Sequence, residues 1–520
     1  MELKEVKAKP IGIVASGARP DAFRIFTSQP LRVGEYVKFD TDDGKAMAFI
    51  ENTVIGSTLI EESKNFYDAN EAASAAANNP RDKSYISEAR TVGLLEMLKK
   101  GKVEFPSIPP VPGTPVELVS REELQEIFNR SADNYVRVGS LLRKQEISVS
   151  VNIDKVASRH LAVLAATGGG KSNLLALLAR RISELNGTMI IFDYHSEYKD
   201  LKIDGKNLVE PKLNPYYLLP DEVADIIGVR SYADVQRSLL SKAIRNLLNG
   251  KDSDRASGWD AKNMAVPTDF FTSLKSELER MQESEDLNHQ QRIAVQRLIS
   301  IIEYSRRYVE ALFDTGVQNV LDLLEPNKIN VVDLGDLNEL QARIIIKFYL
   351  DEIFFDRKAA VLRNEEARVR FTSPVIVAIE EAHVFLPAEE KSDLVDTVTR
   401  IAREGRKFGV GLIIVSQRPS RLNSNVLSQM GSFAIMRITN SADKNYIKEV
   451  NEYLTPDMVE NLSVLNPGEA LLLGDWVTIP VMSKIELVGD KLIGKDIEAV
   501  SQWRRQKELS QEAPRTRDFL

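Results

Sequence analysis

The sequence contains no cysteine and only a few histidines. Without thiols, the protein can form no disulfide, cannot use a thiol nucleophile and cannot build a zinc–thiolate centre. The histidines show no spacing typical of metal ligands. These histidines are His160, His195, His289 and His383.

Long apolar runs are missing as well. No run approaches the roughly 20 residues that cross a bilayer, and the first residues, MELKEVKAKP, lack the apolar stretch of a signal peptide. We therefore expect a cytoplasmic protein with no membrane segment. The net charge of −8 argues against a surface coated with basic side chains, so a nucleic-acid partner would have to meet a locally positive channel.

The N-terminal part of the chain, residues 1–155, is predicted to form a small β-barrel-like domain. Short strands are indicated on either side of the Asp43-Gly44 turn. The stretch EISVSVN, residues 146–152, alternates apolar and polar residues and is assigned to the same barrel. A polar, alanine-rich segment and a proline cluster interrupt this region and leave the number of strands open.

Beyond His160 the pattern changes to short apolar runs separated by helical periodicity, which predicts parallel strands covered by helices. We predict an α/β protein with a core formed by residues 156–220 and 315–480. The candidate strands are LAVLA, TMIIF, INVVDL, VIVAI, GLIIVS, FAIMRI and EALLL.

Two further segments complete the predicted organisation. Residues 221–314 are rich in Leu, Arg and Glu at helical spacing, which indicates a helical insertion with a loop at Asn249 to Ser257. Residues 481–520 are expected to form a C-terminal extension, because the charged stretch near the end can bury little surface. This extension would project from the core or brace a neighbouring subunit.

The residues AATGGGKS at 165–172 fit the Walker A pattern apart from Ala165 at its first position. Glycines let backbone N–H groups turn towards a phosphate, and the following helix directs its positive end at the same anion. Lys171 would reach the β- and γ-phosphates and Ser172 would ligate Mg²⁺. A glycine-rich turn without a ligand is the alternative. The residues predicted to bind ATP are Ala166, Thr167, Gly168, Gly169, Gly170, Lys171, Ser172 and Asn173.

Two acids follow the apolar strand VIVAI, as in a Walker B motif. Together with the Walker A pattern, they predict that the α/β core of residues 156–220 and 315–480 is a RecA-like P-loop NTPase. Glu380 would hold Mg²⁺ through its water shell, and Glu381 would polarise the attacking water. Two solvated carboxylates at a strand end are the alternative. Asp193, at the end of TMIIF, could orient water or the metal, or could equally serve as a helix cap or loop contact.

Two polar groups flank the strand GLIIVS. Gln417, just after it, is in a position to sense the γ-phosphate, or else belongs to a plain turn. Before it, Arg403 and Arg406 lie in a basic helix end. Cations there stabilise the helix dipole, or one arginine enters the ATP site of a neighbouring subunit, which requires a ring.

Taken together, these motifs resemble the archaeal HerA branch of the HerA/FtsK family of hexameric P-loop DNA translocases. The resemblance covers residues 159–474 and implies a homo-hexameric ring with ATP between subunits and double-stranded DNA in the central channel. It also implies a NurA-type nuclease partner that resects broken DNA ends. The motifs are RHLAVLAATGGGKSN, IIFDYHSEY, VAIEEAHVF and REGRKFGVGLIIVSQRPSRL.

The resemblance also implies roles for individual residues. Arg406 is the preferred arginine finger, with Arg403 in reserve, and Arg159 is an additional phosphate or subunit contact. The remaining roles fall on Lys171 as the nucleotide lysine, Ser172 and Glu380 as Mg²⁺ contacts, Glu381 as the catalytic glutamate and Gln417 as the sensor.

The function predicted from the sequence is ATP-driven translocation or unwinding of double-stranded DNA in end resection and double-strand break repair. One alternative is a secretion- or conjugation-type hexameric motor that acts on protein substrates. Another is a nucleotide-gated DNA clamp, although Glu381 argues against a slow switch, which needs no strong catalytic acid. Stimulation of ATP hydrolysis by duplex DNA separates the first of these from the other two.

Overall fold

The computed structural model contains two β-sheets, one closed into a barrel and one open. None of the described helices is both long enough and apolar enough to cross a bilayer. The structure describes residues 10–79, 82–247, 269–364, 368–389, 392–489, 500–501 and 503–504.

The barrel is formed by six antiparallel strands in the order β1-β2-β5-β4-β3-β6. Inward apolar residues such as Phe23 and Ile25 alternate with exposed ones, so one face of each strand fills the barrel. Closure leaves no unpaired edge in this ring of strands. The strands are β1 (Gly12–Val14), β2 (Ala22–Thr27), β3 (Tyr36–Thr41), β4 (Gly44–Ser57), β5 (Lys83–Leu94) and β6 (Pro115–Leu118).

Short helices decorate the barrel and lead away from it. Two lie between β4 and β5, where the predicted polar, alanine-rich segment becomes helical, and two follow β5. They are α1 (Thr58–Glu61), α2 (Phe66–Ala77), α3 (Leu95–Lys99) and α4 (Arg121–Phe128).

The hairpin of β7 (Tyr135–Leu141) and β8 (Lys144–Asn152) lies in the open sheet. The prediction that residues 146–152 belong to the barrel is therefore wrong. The alternating pattern in β8 suits any half-buried antiparallel strand. Its sheet is decided by the pairing of β7 with a strand more than 300 residues later in the chain, at Ser483 and Lys484.

The open sheet has eleven strands in the order β11-β12-β10-β13-β14-β9-β15-β16-β17-β7-β8. The strands from β11 to β15 in this order are parallel, as predicted. The remaining strands are β9 (Leu161–Leu164), β10 (Thr188–Asp193), β11 (Asn207–Val209), β12 (Ile329–Asp333), β13 (Val375–Ile379), β14 (Val410–Ser416), β15 (Ser432–Ile435), β16 (Glu469–Gly474) and β17 (Val481–Ile485).

Two strands near the C-terminal end of the chain differ from the prediction. EALLL forms β16, which runs antiparallel to both of its neighbours. A buried strand is an apolar run whichever way it points, so this pattern cannot reveal direction. Residues 481–485, assigned above to the C-terminal extension, form β17 inside the sheet. Most of the charged stretch near the chain end lies outside the described residues.

The helices that cover the sheet and form the insertion follow one another along the chain. The described part of residues 221–314 contains α8 to α10 and most of α7, whereas the predicted loop at Asn249 to Ser257 lies outside the described residues. The helices are α5 (Ile153–Arg159), α6 (Lys171–Glu184), α7 (Pro220–Ile226), α8 (Asp234–Leu247), α9 (Phe270–Glu283), α10 (His289–Val309), α11 (Glu339–Leu362), α12 (Ala382–Phe385), α13 (Asp393–Phe408), α14 (Ser424–Leu427), α15 (Ser441–Val450) and α16 (Pro456–Asn461).

Polar contacts join the barrel to the core. The Tyr36 hydroxyl donates to the carbonyl oxygen of Pro480 at 2.6 Å. The buried Glu51 accepts from the Thr455 hydroxyl at 2.8 Å, and its backbone carbonyl accepts from the side chain of Asn461 at 2.8 Å. Because Thr455 and Asn461 lie at the two ends of α16, this helix is attached directly to the barrel wall.

Candidate nucleotide site

The Walker A loop lies where β9 meets α6, in the middle of the eleven-stranded sheet. β9 is flanked by β14 and β15, and each neighbour holds the loop through the backbone. The N–H of Ala165 donates to the carbonyl of Ser416 at 3.2 Å, and that of Ala166 donates to the carbonyl of Arg437 at 2.9 Å. The loop is thus anchored on both sides before it turns into the helix.

Glycine is required at particular points of this loop. Gly168 and Gly170 have φ angles of 74° and 110°, which side chains rarely adopt. A Cβ on Gly169 would lie 2.9 Å from the Cβ of Ala165 and 3.0 Å from the carbonyl oxygen of Ala166. The N-terminus of α6 has no side-chain cap, so its N–H groups are available to an anion.

Lys171 begins α6 and is buried, with 9% of its surface exposed. Its Nζ lies 3.4 Å from the carbonyl oxygen of Ala165, within the curve of the loop. Burial lowers the pKa of Lys171, while the nearby carboxylates of Glu381, Glu380 and Glu197 act in the opposite direction. A cation held beside uncapped N–H groups suits a bound phosphate.

Asn173 and Thr167 have side-chain partners within the protein. Asn173 donates to the carbonyl of Glu486 and accepts from the N–H of Val488, both at 2.9 Å. Its side chain therefore fixes the segment after β17, and only its backbone can serve the predicted nucleotide contact. The Thr167 hydroxyl donates to Gln417 Oε1 at 2.6 Å, which links the loop to the predicted sensor.

The two acids after β13 lie near Lys171, close enough to influence its pKa. Glu380 and Glu381 are 3% and 7% exposed, and burial raises the pKa of both. Glu380 Oε1 accepts from the Tyr198 hydroxyl at 3.1 Å. Within the described part of the chain, Oε2 of each glutamate is buried without a hydrogen-bond partner. Buried carboxylate oxygens without partners are costly and indicate a functional role.

The residues present fit a nucleotide-bound Mg²⁺ ion. Ser172 and Glu380 both hydrogen-bond to the Tyr198 hydroxyl, so the two predicted metal contacts lie close together. No group of three or more His, Asp or Glu side chains suited to a metal occurs among the described residues. Mg²⁺ commonly takes one or two protein ligands and completes its shell with phosphates and water.

Asp193 forms the loop contact that the sequence left open. It is fully buried at the end of β10, and its two oxygens accept from the N–H groups of Glu197 and Tyr198 at 3.0 and 2.8 Å. Burial raises the pKa of Asp193. Through this turn Asp193 places Tyr198 against Glu380, and the metal contact predicted for Asp193 stays a prediction.

The arginines predicted to act at the phosphates lie at the other edge of the sheet. Arg403 and Arg406 are exposed near the end of α13, which leads through Gly409 to the first residue of β14. β14 has seven residues and spans roughly 20 Å. The Walker A loop lies at its far end, so the length of β14 separates the loop from the helix end that carries Arg406.

Arg159 precedes β9 and therefore also lies at the strand-start edge. Its Nε is 3.7 Å from Asp475 Oδ2. Within one chain, the four residues of β9 separate Arg159 from the loop. The additional phosphate or subunit contact predicted for Arg159 stays a prediction.

Two residues of the site were missed by the sequence analysis. Tyr198 bridges Glu380 and Ser172, and His383 lies between Glu381 and the end of β14. Both belong to motifs that had been recognised, IIFDYHSEY and VAIEEAHVF. Their position just beyond strand ends was a usable signal, since strand ends at one sheet edge converge.

Comparisons with known proteins agree with this architecture. The family model described as "Helicase HerA, central domain" matches residues 136–353. The DNA double-strand break repair helicase HerA of Saccharolobus solfataricus is 36% identical over 509 residues, which cover 98% of each chain. That of Sulfurisphaera tokodaii is 34% identical over 503 residues, covering 96% of this chain and 98% of the relative.

Among solved structures, this chain is similar to VirB4 of Thermoanaerobacter pseudethanolicus. The TM-score is 0.49 and the sequence identity is 17%, and the match covers 69% of this chain and 98% of that chain. The sequence relatives are much closer, since their identity extends over almost the whole of both chains. The protein described here belongs to the HerA helicase family.

Proposed function

We propose that this protein is an ATP-driven translocase or helicase of double-stranded DNA. The observation that carries the proposal is Glu381, a buried carboxylate that lies near the Walker A lysine and has one oxygen without a hydrogen-bond partner among the described residues. A slow nucleotide switch needs no such acid. The names of the relatives, DNA double-strand break repair helicases, support the choice of DNA as substrate and of DNA repair as the setting.

The proposed chemistry divides the work among the residues of one sheet edge. Backbone N–H groups of the loop and Lys171 bind the phosphates, and Glu381 orients the attacking water and accepts its proton. Gln417, held by Thr167, contacts the γ-phosphate. Bound Mg²⁺ would neutralise charge on the β- and γ-phosphates, held by Ser172 and, through water, by Glu380.

The proposal includes a homo-hexamer that acts in the cytoplasm. The exposed Arg406, with Arg403 in reserve, would complete the ATP site of the next subunit. Double-stranded DNA would pass through the central channel, and a NurA-type nuclease would resect the broken ends. Family membership supports the ring and the nuclease, and the position of both arginines, away from the loop of their own chain, supports the ring.

The test is steady-state ATP hydrolysis with and without linear duplex DNA, titrated with salt. We expect strong stimulation that weakens as salt rises, because contacts to DNA phosphates displace counterions. Fast hydrolysis without any response to DNA would contradict the proposal and favour a motor for protein substrates. Slow hydrolysis, with DNA held as long as ATP is bound, would favour a clamp.

A further inference from the structure

A histidine lies beside the proposed catalytic glutamate. His383 Nδ1 is 3.2 Å from Glu381 Oε2 and 3.3 Å from the Ser416 hydroxyl oxygen. Glu381 Oε2 is buried and has no hydrogen bond among the described residues. His383 Nδ1 thus lies within hydrogen-bonding distance of this oxygen, and neither step of the proposed chemistry uses His383.

The backbone brings the two side chains to the same place. Glu381 has φ 45° and ψ 40°, a left-handed conformation that is uncommon for a residue with a side chain. It caps the short helix α12, so His383 follows within the first turn. Strained backbone conformations persist where their surroundings impose them, and they cluster at active sites.

His383 also connects Glu381 to the strand that carries the predicted sensor. Ser416 ends β14, and its hydroxyl accepts from the N–H of Arg418 at 3.1 Å. Gln417 follows directly and is bound to Thr167 of the Walker A loop. A continuous set of contacts thus runs from the loop through β14 to His383 and Glu381.

The ring of His383 is neutral at pH 7. Burial, followed by the charges of Arg418, Arg421 and Lys171, lowers its pKa to about 4. A neutral imidazole carries hydrogen on one nitrogen only. A carboxylate oxygen at 3.2 Å favours Nδ1 as that nitrogen, because an unprotonated Nδ1 would place two acceptors against each other.

We propose that His383 is a positioning residue that donates its Nδ1–H to Glu381 and fixes the direction in which that carboxylate faces the attacking water. This inference rests on the proposed hydrolysis of ATP at Glu381. Hydrogen bonds in catalytic sites often tighten only when the reacting complex forms, so the contact should shorten when ATP is bound.

The test compares two amide substitutions. The amide nitrogen of Asn can occupy the position of Nδ1, whereas the longer side chain of Gln brings its amide closer to the position of Nε2. We expect His383→Gln and His383→Ala to lower kcat by about 10- to 100-fold with little change in KM. His383→Asn should keep most of the activity. A purely structural role would not separate Asn from Gln.

A second measurement keeps the test decisive if the Ala variant folds poorly. In a Glu381→Gln background, His383→Gln should cause no further loss of kcat, because the group that it positions is already gone. Equal activity of His383→Asn and His383→Gln, or a further loss in the Glu381→Gln background, would overturn the inference.

These outcomes are distinguishable from failure of the proposed function. If the wild-type protein does not hydrolyse ATP, the proposed function fails. If it does, and Glu381→Gln is inactive while His383→Gln is fully active, only the positioning role of His383 is lost.

Discussion

At the scale of single residues, Lys171 is the group on which nucleotide binding should depend most. It is a buried cation whose Nζ lies 3.4 Å from the carbonyl oxygen of Ala165, and the loop itself contains no acidic side chain to pair with it. We expect Lys171→Ala to weaken ATP binding by about 10- to 100-fold, since hydrogen bonds to charged groups contribute roughly 1.5–3 kcal/mol.

Titration with a fluorescent ATP analogue measures this loss. Lys275→Ala, a change on the surface of α9, is the matched control and should bind as the wild type does. Unchanged affinity in Lys171→Ala would contradict the assignment of residues 165–172 as the phosphate cradle.

Glu381 permits the complementary prediction. Glu381→Gln keeps the size of the side chain but removes the base, so ATP should bind normally while kcat falls by about 10²- to 10⁴-fold. Rapid-quench measurement of a single turnover, together with a binding titration, separates the two effects. Glu404→Gln, on the exposed face of α13, is the control. Hydrolysis by Glu381→Gln at the wild-type rate would place water activation elsewhere.

At the scale of secondary-structure elements, His160 holds three of them together. It precedes β9, and its φ of 64° is positive. Nε2 is 2.9 Å from the carbonyl oxygen of Ala402 in α13, and Nδ1 accepts from the N–H of Leu412 in β14 at 3.0 Å. One neutral ring thus ties the strand of the Walker A loop to the helix that carries Arg403.

This link predicts a loss of stability in acid. Burial lowers the pKa of His160 from 6.5 to about 4, so the unfolded chain takes up its proton first. The contribution of the neutral His160 ring to the free energy of unfolding is fully present above pH 6.5. It is lost as the pH falls towards 4, by about 2 kcal/mol between pH 7 and pH 5. Denaturant unfolding at both pH values measures this, and His160→Gln should show a smaller difference. If His160→Gln lost as much stability between pH 7 and pH 5 as the wild type does, the assignment of this loss to His160 would be contradicted.

At the scale of the whole molecule, one chain does not hold all of the proposed machinery at one place. Glu381 and the Walker A loop lie at the ends of the parallel strands, whereas Arg403 and Arg406 lie near their starts. In a closed ring, a face-to-back contact can bring the two edges of successive chains together. The assembly would then be required for hydrolysis as well as for holding DNA.

Mixing two inactive variants tests this arrangement. Arg406→Ala and Glu381→Gln should each be inactive, but co-assembled rings contain interfaces that pair an intact Glu381 with an intact Arg406. At equal mixing these make up roughly a quarter of the interfaces, so hydrolysis should return up to that level. Glu381→Gln mixed with Lys171→Ala is the control, because both defects lie on the same side of the interface.

The result is interpreted from the composition of the rings together with their rate of hydrolysis. Native mass spectrometry should show mixed rings in both experiments. If mixed rings form and Arg406→Ala with Glu381→Gln stays inactive, Arg406 does not act on a neighbouring subunit, and Arg403→Ala takes its place in the same design.

Much of this protein was determined by the sequence itself, because the features concerned are contiguous. The Walker A loop needs glycines, a lysine and a serine in one short run, and the buried parallel strands can be recognised in the sequence as apolar runs. The two acids of the Walker B motif directly follow such a run. The predictions of the fold class and of the HerA family rest on these local signals, and both are confirmed.

Other features were decided only by the tertiary structure, since each depends on a partner far away in the chain. β8 joins the open sheet because β7 pairs with β17, and β16 pairs antiparallel with both β15 and β17. Asn173 hydrogen-bonds to the segment after β17, and the length of β9 separates Arg159 from the Walker A loop of its own chain. Residue type and spacing set what a side chain can do, whereas long-range pairing sets which of those possibilities is in reach.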